Sequence, residues 1–369
     1  MDQLDLFAEV EEIPATFTAR PLPPRPAAVP APRPAPAPRP VAAAATEPDA
    51  LFADPRPELP AVQTPIPVRR GVTPLLIGNP RDAGQRLGEA VAETWHASNW
   101  GGYRMDIPVS IVAALALFPI KGHTADVTRI ISTCTDWELL QGYREIYAAT
   151  WSSRPDLGAR MAPLMSWLTE DGVEEKAYAV RRVTDTALRY GVLEMTGDPD
   201  PANRADTDLM SWIITSLRSH GARQGMGEYH TPPELCDLMA GMTIGTVPPR
   251  AGSWFHEPAG GTGGMFRALA QELRYIDLDP ADYKWAINDL DPLAAAGAAV
   301  NAIVWGLGPN VVVSCGDALH QGDVVDQALR ERTALIEERN QIVGYLATVE
   351  AFDEAIRLAD RLMTGANAV

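Results

Sequence analysis

Apolar positions recur at the three-and-four spacing of amphipathic helices over residues 84–96, 109–118, 137–149, 159–168, 174–193 and 206–219. Beyond residue 250 the pattern shortens. Apolar runs at about 253–257, 285–289 and 310–314 read as strands, and a helix begins at Met265 directly after the first of them. From Val324 to Met363 a charged amphipathic stretch follows. Leu329, Ile336 and Val343 stand seven apart in it, and Leu346, Val349, Phe352 and Ile356 continue the stripe. Gly344 is expected at a bend between two helices there, forming either a cap over an exposed sheet edge or a partner helix. At the other end, residues 1–75 hold 18 of the 33 prolines with alanine between them, a composition that cannot bury a core and predicts an extended, disordered tether. Four regions result: the arm 1–75, a helical domain 76–225, an α/β module 226–322 and a helical tail 323–369.

Composition narrows the function classes. The chain has 369 residues, with 31 Lys and Arg against 48 Asp and Glu, a net charge of −17. Phosphate contacts supply most non-specific DNA affinity, so this balance argues against strong independent DNA binding. Cys134, Cys236 and Cys315 lie far apart, which suits a reducing cytoplasm, and the six histidines show no metal-ligand spacing. The N-terminus lacks a secretion-signal pattern. The longest apolar stretch, Ile107 to Ile120, is interrupted by Pro108, Ser110 and Pro119; it is too short to span a bilayer and reads as a buried helix. A cytoplasmic protein without a membrane partner is expected. Trp95, Trp100 and Tyr103 beside Gly101-Gly102 read as core around a turn.

The candidate chemistry centres on Glu257-Pro258-Ala259-Gly260-Gly261-Thr262-Gly263-Gly264, where the first strand turns tightly into a helix. Such an elbow brings bare N–H groups and a positive dipole end to one point, and glycine allows a ligand to approach the backbone. The string is neither a P-loop nor a well-formed dinucleotide fingerprint. Upstream lies Gly227-Glu228-Tyr229-His230-Thr231-Pro232. Downstream lie Asn288-Asp289-Leu290-Asp291-Pro292 and Gly316-Asp317-Ala318-Leu319. In this order the four elements resemble the adenine-N6 DNA methyltransferases of the type I restriction-modification kind, over about residues 205–320.

That resemblance implies a truncated Rossmann-like methyltransferase core, with a helical domain before it, that binds S-adenosylmethionine. Backbone amides of Gly260 to Gly263 would hold the amino-acid part. Asp289, with Asp291 as the second choice, would accept from the ribose hydroxyls. Asp317 would accept from the adenine amino group, and Tyr229, Thr231 and Pro232 would line the methionine end. Glu257 stands where the family has aspartate. Taken singly, Asp289 and Asp317 also read as helix caps, and Thr231-Pro232-Pro233-Glu234 as a helix start with threonine at the cap.

The family's Asn/Asp-Pro-Pro-Phe/Tyr loop, which receives the flipped adenine, occurs nowhere in the chain, so no catalytic residue is assigned. Separately, Gln3-Leu4-Asp5-Leu6-Phe7 resembles the peptide by which bacterial polymerases dock on the replication sliding clamp, with Gln3, Leu4, Leu6 and Phe7 as contacts. Three expectations stand. One is a DNA adenine-N6 methyltransferase working with a partner chain, reached through the C-terminal helices, or through a divergent loop. The others are a non-catalytic cofactor-binding protein and a clamp-tethered accessory protein of a mobile element or phage.

Overall fold

The structure, a computed structural model, describes residues 71–98, 104–218, 231–245 and 248–366. All of them belong to one compact unit, Pro65–Val369. Tyr229, Trp100, Tyr103 and residues 1–70, with most of the proline-rich arm and the peptide Gln3 to Phe7, lie outside the described residues; at the end of the expected arm the Leu75 N–H bonds the Arg189 carbonyl.

The first layer is helical: α1 (Pro80–Ser98), α2 (Asp106–Ala116), α3 (Thr124–Thr133), α4 (Asp136–Ser153), α5 (Pro155–Arg160), α6 (Ala177–Arg189) and α7 (Leu209–Leu217), with shorter turns between them. Local chemistry sets the ends. Thr135 and Glu138 form a reciprocal capping box before α4. Proline at the first turn starts α5. α2 is buried nearly all round, as expected for a helix of mean apolar character, and α1 packs along α6 and α7. Trp95 is core.

The α/β layer follows with α8 (Pro233–Ile244), β1 (Trp254–Glu257), α9 (Gly264–Tyr275), β2 (Lys284–Asp289), α10 (Pro292–Val304), β3 (Val311–Cys315), α11 (Ala318–Gln321) and α12 (Val324–Ala366). The strands form one parallel sheet in the order β1-β2-β3, with Glu257 opposite Ile287 and Asp289 opposite Cys315. Parallel strands need a crossover at every step, and α9 and α10 supply them. Phe255 stacks on Trp285 at 4.8 Å and Phe266 meets the same ring edge-on at 5.0 Å, which ties β1, β2 and α9 into one core. α10 packs on β2 and β3 on one side and on α7, α5 and α2 on another, so the helical layer and the sheet share it as a wall.

Several local expectations are corrected. Residues 159–168 are not one helix: α5 ends at Arg160, Ala162–Met165 makes a separate turn, and Ser166–Thr169 is 3-10. Pro163 lacks the N–H that a continuous helix would need. The 174–193 stretch opens as 3-10 at Val173–Lys176 and stops at Arg189, before Gly191 turns the chain. α3 carries too few apolar positions to have been read. α8 starts one residue later than expected, with Pro232 rather than Thr231 at its cap. The tail does not bend at Gly344: α12 runs unbroken for 43 residues, because one glycine costs a helix only about 1 kcal/mol. Its first half packs on β3 and α5, with Arg332 bonded to the Pro309 carbonyl and to Asp156. Among the described residues no helix is long and apolar enough to cross a membrane.

Candidate functional site

Because the strands run parallel and in register, their carboxyl ends, and the loops that leave them, gather at one edge of the sheet, where ligands of open α/β sheets bind. A cleft of about 780 Å³ opens there. Of the residues singled out in the sequence, it is lined by Thr231, Glu257, Pro258, Ala259, Gly260, Gly261, Thr262, Gly264, Asp289, Asp291 and Asp317. Gly263 sits beneath the lining and Pro232 stands back at the α8 cap.

The elbow is built to be bare. A Cβ on Gly260 would lie 2.7 Å from the Ile287 side chain, so the loop could not lie this close to β2 with any other residue. Gly263 caps α9 at φ 93° with no side-chain acceptor, which leaves the first N–H groups of a twelve-residue helix facing the cleft side. Asp289 is drawn across this turn. Its Oδ2 accepts from the Gly261 N–H at 2.7 Å and its Oδ1 from the Asp291 N–H at 2.9 Å. A carboxylate offers about four acceptor sites, so two remain for a ligand. Asp291 is committed otherwise: it caps α10 through the Leu293 and Ala294 N–H groups and pairs with the buried Arg218. Asp317 caps the short α11 through Leu319 and His320 N–H groups, both bonds falling on Oδ1, so its Oδ2 makes no bond among the described residues.

Three polar residues that the sequence reading did not single out as site residues hold this arrangement. Asn288, 1% exposed, donates to the Pro258 carbonyl at 3.0 Å and the Gly316 carbonyl at 2.9 Å, and accepts from the Ser314 hydroxyl. One side chain thus staples the ends of all three strands. Asp208 accepts from the Thr262 hydroxyl at 2.7 Å, and Asn301 donates both to Asp208 and to the Thr262 carbonyl. Burial raises the Asp208 carboxyl above its ordinary range against those hydrogen bonds. The signal for Asn288 was present in the sequence: an amide within an otherwise apolar strand must find partners.

The cleft also has apolar walls. Leu290 is 68% exposed and Leu319 is 100% exposed, both on its rim, and Met265 and Cys236 line its floor. Large apolar groups left in water beside a polar pocket mark a place where a flat apolar group can lodge. Among the described residues no group of histidine, cysteine and carboxylate side chains could hold a metal ion.

No family model and no curated protein matches this chain. Among solved structures it is similar to the type I restriction-modification system methyltransferase subunit from Streptococcus thermophilus, at 15% identity and a TM-score of 0.35, covering 64% of this chain and 59% of that one. It is also similar to a chain of the DrdV–DNA complex, at 15% identity and a TM-score of 0.34, covering 70% of this chain and 27% of that one. The chain therefore spans less than two thirds of the length of either protein, and likeness at this level assigns neither family nor function.

Proposed function

We propose that the cleft binds S-adenosylmethionine and that the protein serves methyl transfer to adenine N6 in DNA, together with a partner chain. The observation that carries this reading is the convergence of a bare glycine elbow, a helix start and two strand-end aspartates on one cleft of about 780 Å³, within the range of roughly 300–1,000 Å³ usual for small-molecule sites. The donor set fits the cofactor part by part. The α9 start suits the carboxylate, Asp289 retains acceptor sites for the ribose diol, and Asp317 lies where an adenine amino group could donate. Leu290 and Leu319 would flank the adenine ring, and Thr231, with Tyr229 and Pro232, would border the methionine end. When bound, the cofactor supplies an activated methyl group; the chain's part is to orient it toward a flipped base. Residues 226–322 would be the cofactor module, truncated Rossmann-like, behind a helical domain at 76–225.

Calorimetry with S-adenosylmethionine is the direct test. Binding should be measurable for the full chain and fall at least tenfold in Asp289→Ala; no heat with the native chain removes the proposal. Tritiated methyl transfer to adenine-containing DNA then separates an enzyme from a second reading, a protein that holds the cofactor without transferring the group. That second reading is favoured by the lack of an Asn/Asp-Pro-Pro-Phe/Tyr tetrapeptide in the sequence. The peptide Gln3 to Phe7 is proposed as a sliding-clamp ligand, and capture of the clamp should be lost when Leu6 and Phe7 become alanine.

A further inference from the structure

Asp208 caps the start of α7 in the helical layer, yet its carboxylate reaches the elbow of the α/β layer. Oδ1 accepts from the Ser211 N–H at 3.0 Å and from Asn301 Nδ2 at 2.8 Å, while Oδ2 accepts from the Thr262 hydroxyl at 2.7 Å. Oδ2 also lies 3.5 Å from where a Cβ on Gly264 would stand, so only a glycine hydrogen separates it from the first turn of α9. All three donors are neutral. Arg267, whose charge acts on Asp208 without bonding it, bonds Asp237 and the Ala205 carbonyl, and Arg218 bonds Asp291. Among the described residues no cation stands within ion-pair distance of Asp208.

A part-buried carboxylate that faces a cleft, holds an acceptor site in reserve and has no cation within ion-pair distance among the described residues is poorly compensated. A ligand ammonium would compensate it, and the neighbouring helix start would take the carboxylate of the same group. We infer that Asp208 recognises the α-amino group of the ligand's amino-acid part, so that the cleft selects a zwitterionic nucleoside over a neutral one. The inference rests on the reading of the cleft as an S-adenosylmethionine site and names which chain segment confers that selectivity.

The test compares two neutral thioethers on the full chain by calorimetry: S-adenosylhomocysteine, which carries the amino acid, and methylthioadenosine, which does not. Asp208→Asn preserves the shape, because the amide oxygen can keep Ser211 and Asn301 while the amide nitrogen donates to the Thr262 hydroxyl. The variant should bind S-adenosylhomocysteine at least tenfold more weakly than the native chain and methylthioadenosine within about twofold of it. Equal loss for both ligands in Asp208→Asn would mean that the residue only holds the elbow, and no loss for either would mean that it does not meet the ligand; each overturns the inference. Should Asp208→Asn fail to fold, the native chain is titrated with the desamino analogue of S-adenosylhomocysteine, and equal affinity for analogue and parent overturns it instead. Native protein that binds none of these compounds refutes the cofactor reading, a distinct result.

Discussion

At the scale of single residues, the cleft depends on buried polar groups whose bonds are all accounted for. Asn288 makes three hydrogen bonds in a site sealed from water. Replacing it by alanine takes the donor from two carbonyls, while the Ser314 hydroxyl keeps the Ile287 carbonyl at 3.3 Å, and each uncompensated buried group costs about 1 kcal/mol or more. We expect Asn288→Ala to lower unfolding free energy by about 2–3 kcal/mol in urea titrations; a change under about 0.5 kcal/mol would show that the strand ends hold without it. Lys121 is a different case. Its ammonium donates to the Ala116 and Thr196 carbonyls, with no ion-pair partner among the described residues, and burial, then the nearby Arg204 charge, push its pKa down to about 8. The folded state therefore holds this proton less well than the unfolded chain, and the cost of the buried charge is fully present below pH 8. Stability should rise as pH climbs from about 8 towards the ordinary lysine value near 10.5, by about 2–3 kcal/mol from this group. Lys121→Met removes that slope while adding a pH-independent loss of two bonds. The gap between native and variant urea midpoints should therefore widen between pH 7.5 and pH 9.5, and a constant gap would refute the assignment.

At the scale of elements, periodicity located what periodicity can locate. The strands fall at 254–257, 284–289 and 311–315, within a residue of the apolar runs, because each run is bounded by turn residues and, in β2 and β3, buried against α10. Helices with a broad apolar stripe, such as α1, α4 and α7, were legible for the same reason. α3 was not: its ten residues carry only Val127, Ile130 and Ile131 as large apolar side chains, and Ile130 is 56% exposed, too few positions for a repeat to show. The break at Pro163 was available to a closer reading, since proline ends a helix from within. The site was legible as a glycine elbow and two acids, which are local features of the chain. Asp208 could not be reached this way, because its partner Thr262 lies 54 residues further on and nothing in spacing predicts that α10 would bring the two layers together.

At the scale of the molecule, charge limits what the chain does by itself. A net charge of −17 repels a phosphate backbone, and no excess of lysine and arginine offsets it. Fluorescence anisotropy with a short duplex at physiological salt should give a dissociation constant weaker than about 10⁻⁵ M, towards the weak end of non-specific binding. Micromolar or tighter binding would show a basic face that the overall balance conceals. The two margins of the sheet are also unlike. β3 is buried from Val311 to Ser314, flanked by α12, and the Arg154 guanidinium reaches the Gly308 carbonyl at its start. β1 is half open along its length, with Trp254 48% exposed. Among the described residues β1 is the margin left open, and a further strand aligned parallel to it would bring its last residues to Glu257, at the mouth of the cleft. Whatever such a strand did to the affinity for a ligand in the cleft, the ligand would do to the strand's affinity by the same factor, since coupling between two sites is reciprocal.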